Sequence, residues 1–323
     1  MIEAINVLNK RGQKVFMNAR NVISKEKIEY GPLSEAMLYF MDKWRDVHHP
    51  ALLSLACEAV GGHTDATTDV GTAIVLITSA ADIHDDIIDQ SITKSGKLTV
   101  FGKFGKDIAL LAGEIFLFKG LTLLHKACQR LDEKQRQAII ELMEQALFEI
   151  VSAEAREANF RGKYDLTPEE YRDIIRMKAV VADITMRIGA LLGNGTPEEV
   201  DALGHYGRTL GILTILRDEF IDIFELNELE NRAKKECLPL PILYAFKKTE
   251  IKNRVSHLLK KGKLTEKDAN NIVETIIDTN EAKKLKREIQ KLIKEEIKEL
   301  QFVNKTKVVS ELKLLLLSLT EDL

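Results

Sequence analysis

The sequence predicts an all-α fold. Three observations carry that expectation. Proline is scarce, with only six in 323 residues, and none falls between Pro50 and Pro168 or after Pro241. Apolar residues recur with helical period along most of the chain. Helix starts carry matching capping signals at Thr167 and Thr196. An all-β chain of this length needs frequent turn punctuation, which is missing here. Hydrophobic residues make up 45% and charged residues 30%, the balance of a soluble globular chain. The length admits two domains or one large helical one. The unbroken helical pattern favours a single domain over 1–323.

The elements follow in chain order. The opening segment, MIEAINVLNKRGQKVF, has no long apolar core and is no secretory signal. Residues 34–46 and 51–60 read as helices separated by Val47-His48-His49-Pro50, the second closed by Gly61-Gly62. Residues 65–92 form a long helix, apolar first and acidic at its end. Its most apolar tract, Ala73 to Ala81, is too short to span a bilayer. Ile74-Val75-Leu76-Ile77 could be a strand, but no hairpin dipeptide flanks it, so helix is preferred. Two more helices cover 106–130 and 133–160, the latter with Ile139, Leu142, Met143, Leu147 and Ile150 along one side. Thr167-Pro168-Glu169-Glu170 and Thr196-Pro197-Glu198-Glu199 are capping boxes with proline at the first turn. Thr265 with Asp268 is a weaker version. Asn194-Gly195 reads as a helix–helix loop. Residues 282–300 place Leu285, Ile289, Leu292, Ile293 and Leu300 on one stripe among Lys and Glu, a solvated amphipathic helix. No Gly-rich nucleotide loop or solenoid repeat is present.

The net charge of −3, from 47 basic and 50 acidic residues, gives no overall pull toward nucleic acid. Cys57, Cys128 and Cys237 are odd in number, far apart and form no CxxC pair. That excludes a zinc ribbon and a disulfide framework and fits a reducing cytoplasmic compartment.

The sharpest local feature is Asp82-Ile83-His84-Asp85-Asp86-Ile87-Ile88-Asp89. It follows an apolar helical run, so its carboxylates sit at a helix C-terminus, where the dipole favours cations. Asp85 and Asp89 are four apart and share a face. Such a pair can hold Mg²⁺ through oxygen and leave sites for phosphate and water. The plainer alternative is a solvated acidic helix end. A second cluster, Asp218-Glu219-Phe220-Ile221-Asp222, repeats the acid-acid-x-x-acid spacing after the apolar run Leu210 to Leu216. Two such clusters facing each other in one bundle would make a polyvalent Mg²⁺ site suited to a diphosphate. Ionising an allylic carbon–oxygen bond needs charge stabilisation on the leaving diphosphate, which metals and lysines provide.

With these residues in view, the sequence resembles the trans-isoprenyl diphosphate synthases, or polyprenyl synthetases. Their first aspartate-rich motif, DDxxD, is usually preceded by His, and here reads His84-Asp85-Asp86-Ile87-Ile88-Asp89. The following loop, RRG-x-PTV in the family, is Lys94-Ser95-Gly96-Lys97-Leu98-Thr99-Val100. Phe104-Gly105 through Leu111-Ala112-Gly113-Glu114 is similar to FG…LAGD. Tyr171 with Ile175-Arg176-Met177-Lys178 resembles Y…I-x-x-KT. Tyr206-Gly207-Arg208 to Asp222 resembles YGxxLGxxxQxxDDxxD, and Lys235-Glu236-Cys237-Leu238-Pro239 resembles KxTLP. The resemblance spans roughly residues 35–245. It implies an isoprenoid-synthase-type bundle of antiparallel helices around a deep central cavity, usually a homodimer.

The resemblance also implies roles. Asp85 and Asp89 match metal ligands, with Asp86 beside them, and Asp218 matches the ligand on the second wall. Glu219, in place of Asp, and Asp222 keep charge there. Three Mg²⁺ ions are implied. Lys94, Lys178 and Lys235 match groups that grip the allylic diphosphate, and Lys178 belongs with the catalytic aspartates. The site for the second substrate, isopentenyl diphosphate, is degenerate. The family's GKRxRP segment aligns on Pro50 with Asp46, Val47, His48 and His49; its upstream His is Thr78; its second Arg is Ser95; the Gln before its second motif is Ile215. An Asp where a Lys should meet a diphosphate is repulsive, and His49 is a weak substitute donor. A misalignment by a residue or two would bring Arg45 closer. Bulky residues that close the family's chain-length pocket are here Ala80 and Ala81, with Leu76 and Ile77 a turn deeper. That implies room for a chain longer than farnesyl.

The leading reading is therefore a Mg²⁺-dependent prenyltransferase that ionises an allylic prenyl diphosphate and transfers it to an acceptor of less usual kind. A class I terpene synthase on the same fold needs only the surviving half; cavity aromatics would support it, but the one Trp, Trp44, lies by the lost motif. A non-catalytic subunit of a heteromeric synthase is the third reading, although such subunits usually lose the aspartate motifs that persist here. No nucleic-acid partner and no transmembrane segment are expected.

Overall fold

The computed structural model describes residues 2–261, 263–300, 303 and 306–319. Helices dominate: α1 (Ile2–Ser24), α2 (Gly31–Lys43), α3 (His48–Ala59), α4 (Thr68–Ile88), α5 (Val100–Phe104), α6 (Lys106–Cys128), α7 (Glu133–Asn159) and α8 (Pro168–Lys178). They continue with α9 (Val180–Leu192), α10 (Pro197–Asp222), α11 (Leu226–Lys235), α12 (Leu240–Ala245), α13 (Thr249–Leu259), α14 (Glu266–Ile277), α15 (Asn280–Glu299) and α16 (Thr306–Ser318). A 3₁₀ turn, Thr64–Thr67, precedes α4. Among the described residues the one sheet is a two-residue hairpin, β1 (Thr93–Lys94) with β2 (Lys97–Leu98).

The expected helices are all present, with shifted ends. The helix expected over 34–46 starts earlier and stops at Lys43, because Trp44 turns to extended backbone. That frees Asp46 to hold the start of α3, accepting from the backbone amides of His48 and His49. The helix expected to reach residue 92 ends at Ile88, because Gln90 adopts a left-handed φ of 54°. The hairpin behind it was not expected. Its turn residues, Ser95 and Gly96, have φ of 51° and 71°, the backbone a tight two-residue hairpin demands. The Ser-Gly dipeptide was the available signal. All three capping boxes form, and the one at Thr265 and Asp268 is as complete as the others. In α15, Leu285, Ile289 and Ile293 are buried as expected, whereas Leu292 sits at the edge of the stripe and is half-exposed.

The packing places α4 at the centre. It runs along α6 and also touches α1 and α3, while α9 packs between α3 and α10. Gly120 of α6 permits the close approach: a Cβ there would come within 2.6 Å of Ile77 Cγ1 and 3.1 Å of the Ala73 carbonyl. By length and composition, residues 64–88 and α6 are apolar enough to cross a membrane; two-thirds of the first window is buried in the protein interior. Contacts among Asp85, Asp89, Glu154, Glu157 and Lys178 bring the C-terminal ends of α4, α7 and α8 to one region, and Lys94 acts on Asp218 at the end of α10.

Candidate active site

The first wall is the exposed stripe of α4. Thr78, Asp82, Asp85 and Asp89 recur at four- and three-residue intervals and so share a face. None of them is buried, while Ala80, Ile83 and Asp86 turn into the core. Asp82 is open to solvent, and its carboxyl is pushed up by the surrounding protein and by Asp46 and Asp85, against the pull of Lys94. Asp85 has a buried Oδ1 with no hydrogen-bond partner. Asp89 accepts from Arg161 Nη2 at 2.5 Å, yet burial, with Asp85, Glu236 and Glu157 nearby, pushes it up to about 8. Asp86 is only 5% exposed; its Oδ1 is 4.0 Å from Lys94 Nζ, and burial raises it to about 7.

The second wall ends α10. Asp218 is open and pairs with Arg217 at 3.2 Å. Asp222 lies 4.0 Å from Arg232, and burial with the neighbouring Glu219 pushes it up to about 7. Glu219 behaves differently from what its motif position implies. It is 2% exposed, and both its oxygens are taken: one by Tyr171 Oη at 2.8 Å and by Arg232, the other by the Leu240 amide at 2.7 Å. It ties α10 to α8, α11 and α12. Lys94, on the hairpin, links the two walls electrostatically: it acts on Asp82, Asp85 and Asp86 and also on Asp218.

A third set of groups was not singled out from the sequence. Glu154 and Glu157 on α7 both engage Lys178, Glu154 at 3.1 Å. Burial pushes Glu154 up to about 7 despite that lysine. Tyr171 Oη reaches Glu157 at 3.3 Å, and Arg232 reaches Tyr171 at 2.7 Å and Glu236 at 3.2 Å. The signal for Glu154 and Glu157 was their three-residue spacing on one helix face. Lys235 donates to the Gln90 carbonyl at 3.0 Å, just past the first acid wall.

Among the described residues, no three Asp, Glu, His or Cys side chains close on a common metal position. The donor chemistry nonetheless fits Mg²⁺, which takes one or two carboxylates and fills its shell with water and phosphate oxygens. The unpartnered Asp85 oxygen and the raised carboxyls of Asp89 and Asp222 mark unmet negative charge.

The positions that resemblance assigns to the second substrate form a cluster of their own. Asp46 Oδ2 meets His49 Nδ1 at 2.7 Å and accepts from Thr78 Oγ1 at 2.8 Å. Val47 is buried, and its carbonyl is so close to Gly12 of α1 that a Cβ there would lie 2.1 Å away. Ser95 stands apart in the exposed hairpin turn. Of the chain-length positions, Ala81 is open, whereas Ala80 and Ile77 are 1% and 6% exposed and packed in the core. Trp44 stacks on Phe40 with ring centroids 5.6 Å apart.

The fold is an all-α bundle in which Lys94 acts electrostatically on carboxylates of both acid clusters. The chain belongs to the polyprenyl synthetase family, whose model matches residues 33–276. It is 29% identical to a short chain isoprenyl diphosphate synthase of Methanothermobacter thermautotrophicus over 225 residues, covering 69% of this chain and 67% of that one. Its fold is similar to that of geranylgeranyl pyrophosphate synthetase from Pyrococcus horikoshii, with TM-score 0.88 and 22% identity over 99% of both chains. It is also similar to that of heptaprenyl diphosphate synthase from Staphylococcus aureus, with TM-score 0.82 and 21% identity over 97% of both. The protein is thus a trans-prenyltransferase of isoprenoid biosynthesis, in a family that acts on allylic diphosphates and generally uses Mg²⁺.

Proposed function

We propose that this prenyltransferase ionises an allylic diphosphate between its two acid walls and passes the prenyl chain to an acceptor that carries no diphosphate. The observation that supports the second half is the Asp46–His49–Thr78 cluster. A site for a second diphosphate needs free cationic donors. Here the carboxylate of Asp46 stands in that place and already engages His49.

Asp85, Asp89, Asp218 and Asp222 would hold Mg²⁺, three ions in all, whose positive charge lowers the cost of the departing diphosphate. Glu219 is left out of that set because its oxygens are spent on the protein. Lys94, Lys178 and Lys235 orient the allylic diphosphate. Lys178 must then exchange part of its hold on Glu154 and Glu157 for phosphate oxygens. The open Ala81 side suits a tail longer than farnesyl. The chain works as a homodimer in the cytoplasm: Phe118 on α6 and Phe148 and Val151 on α7 are 63%, 70% and 65% exposed, large apolar side chains that a second copy would cover, and its three cysteines are free thiols.

The test is incubation with Mg²⁺, geranylgeranyl diphosphate and labelled isopentenyl diphosphate. Diphosphate release without efficient elongation is expected; efficient elongation would overturn the reading of the acceptor.

A further inference from the structure

Asp46 spends its whole carboxylate inside the protein. Oδ1 accepts from the amides of His48 at 3.1 Å and His49 at 3.2 Å, which anchors the start of α3. Oδ2 accepts from Thr78 Oγ1 and faces His49 Nδ1 at 2.7 Å. The carbonyls of Ile74 and Val75 lie 3.1 Å from the same oxygen and share its one proton with Asp46, which holds the hydroxyl against α4. A carboxylate on Nδ1 sets the imidazole tautomer and leaves Nε2 as the working edge of the ring. The His49 side chain keeps 25% of its surface open.

Through Thr78 the cluster is tied to the stripe of α4 that carries the first acid wall. Thr78 lies seven residues before Asp85 on the same stripe of α4, which puts the cluster about 10 Å along the helix from the metal-holding end. Asp82 stands between them on the same stripe, exposed, and interacts electrostatically with His49 on one side and with Asp85 and Lys94 on the other. The charged groups that face His49 are Asp46 and His48 from its own end of α3 and Asp82 from α4. Two carboxylates around one imidazole repel an anionic acceptor and stabilise a proton that arrives on the ring.

We propose that His49 takes the proton from the acceptor during prenyl transfer, positioned by Asp46, and that the acceptor is a neutral alcohol. This rests on the reading that an allylic diphosphate is ionised at the acid walls. The acceptor oxygen bonds to the allylic carbon with a lone pair. The bond from that carbon to the diphosphate oxygen breaks, and its electron pair leaves with diphosphate. The hydroxyl proton passes to His49 Nε2 and is later lost to solvent through the open side of the ring. The products are a prenyl ether and diphosphate. His49 is the catalytic residue of this step and Asp46 a positioning residue.

The test uses the full chain with Mg²⁺, geranylgeranyl diphosphate and isopentenyl alcohol, the isopentenyl skeleton with a hydroxyl where its diphosphate would be. Wild type forms the ether. In H49Q the ratio of ether to released diphosphate falls about a hundredfold, the lower range of a general base's contribution. In D46N the amide oxygen still caps α3, but the imidazole loses its carboxylate. The acid limb of ether formation then moves to lower pH, a shift that a purely structural role would not produce. An unchanged ratio in H49Q, no ether from wild type, or a product joined through carbon overturns the proposal. Absence of diphosphate release by wild type strikes instead at the ionisation reading beneath it.

Discussion

The two ends of the α4 stripe handle buried charge in opposite ways. At the C-terminal end, carboxylates are left short of partners: Asp85 has an orphan oxygen, and Asp86 and Asp89 are pushed up to about 7 and 8. At the N-terminal end, Asp46 has every lone pair engaged, and its carboxyl is held far below the usual range despite burial, by His49 and Thr78. Unmet charge marks a place where a ligand completes the site. Met charge marks a preorganised device. The same contrast recurs within the second motif, where Asp222 is under-compensated and Glu219 is saturated.

The largest effect that sharpens this contrast is on catalysis. Asp85→Asn should cut diphosphate release by about three orders of magnitude, the scale of losing a main electrostatic stabiliser. Its thermal stability should change little, because Asp85 Oδ1 makes no hydrogen bond and the attraction of Lys94 and Lys178 is offset by repulsion from Asp82, Asp86 and Asp89. Assays of released diphosphate beside a melting curve check both. Glu219→Ala should do the reverse: it leaves the buried Leu240 amide without its acceptor and takes one carboxylate from Arg232, which keeps Glu236, and should lower stability by about 1–3 kcal/mol, read by urea denaturation. If Glu219→Ala left stability intact and abolished only Mg²⁺ binding, the division between the two residues would be wrong.

Next comes Gly12→Ala, which drives a Cβ into the Val47 carbonyl. Shifts of this kind cost about 1–3 kcal/mol. The damage should fall on the acceptor end, with the product distribution changing more than diphosphate release. Thr78→Val should be milder, at about 1 kcal/mol for one hydrogen bond. A last effect concerns pH and leaves the sequence unchanged. Without metal, the folded carboxyls of Asp86, Asp89 and Asp222 titrate above their unfolded value of 3.8. A raised folded pKa contributes stability that is complete below the unfolded pKa and is lost as pH rises through the folded one. The metal-free melting temperature should therefore decline between about pH 4 and pH 8, and Mg²⁺ should flatten that decline. Differential scanning at several pH values would show it; a metal-independent slope would count against the unmet-charge account.

Much of the molecule was legible in the chain. The capping boxes at Thr167 and Thr196 work through contacts three residues apart, so they could be read directly. The acid walls were legible because four-residue spacing fixes a shared helix face. The boundaries at Lys43 and Ile88 were not, since both depend on single residues, Trp44 and Gln90, leaving helical backbone.

What the sequence alone determined is therefore local: an all-α chain, its helix starts, and two clusters of carboxylates with Lys94 and Lys178 between them and Lys235 after the second. What only the tertiary structure decided is which of those charges are spent. Asp46 meets Thr78 across 32 positions, and Glu219 meets Tyr171 across 48. Such pairs arise from helix packing, which spacing along the chain does not encode. The same residue type, carboxylate beside carboxylate in one motif, becomes a waiting ligand or a structural tie according to what the neighbouring helix brings to it.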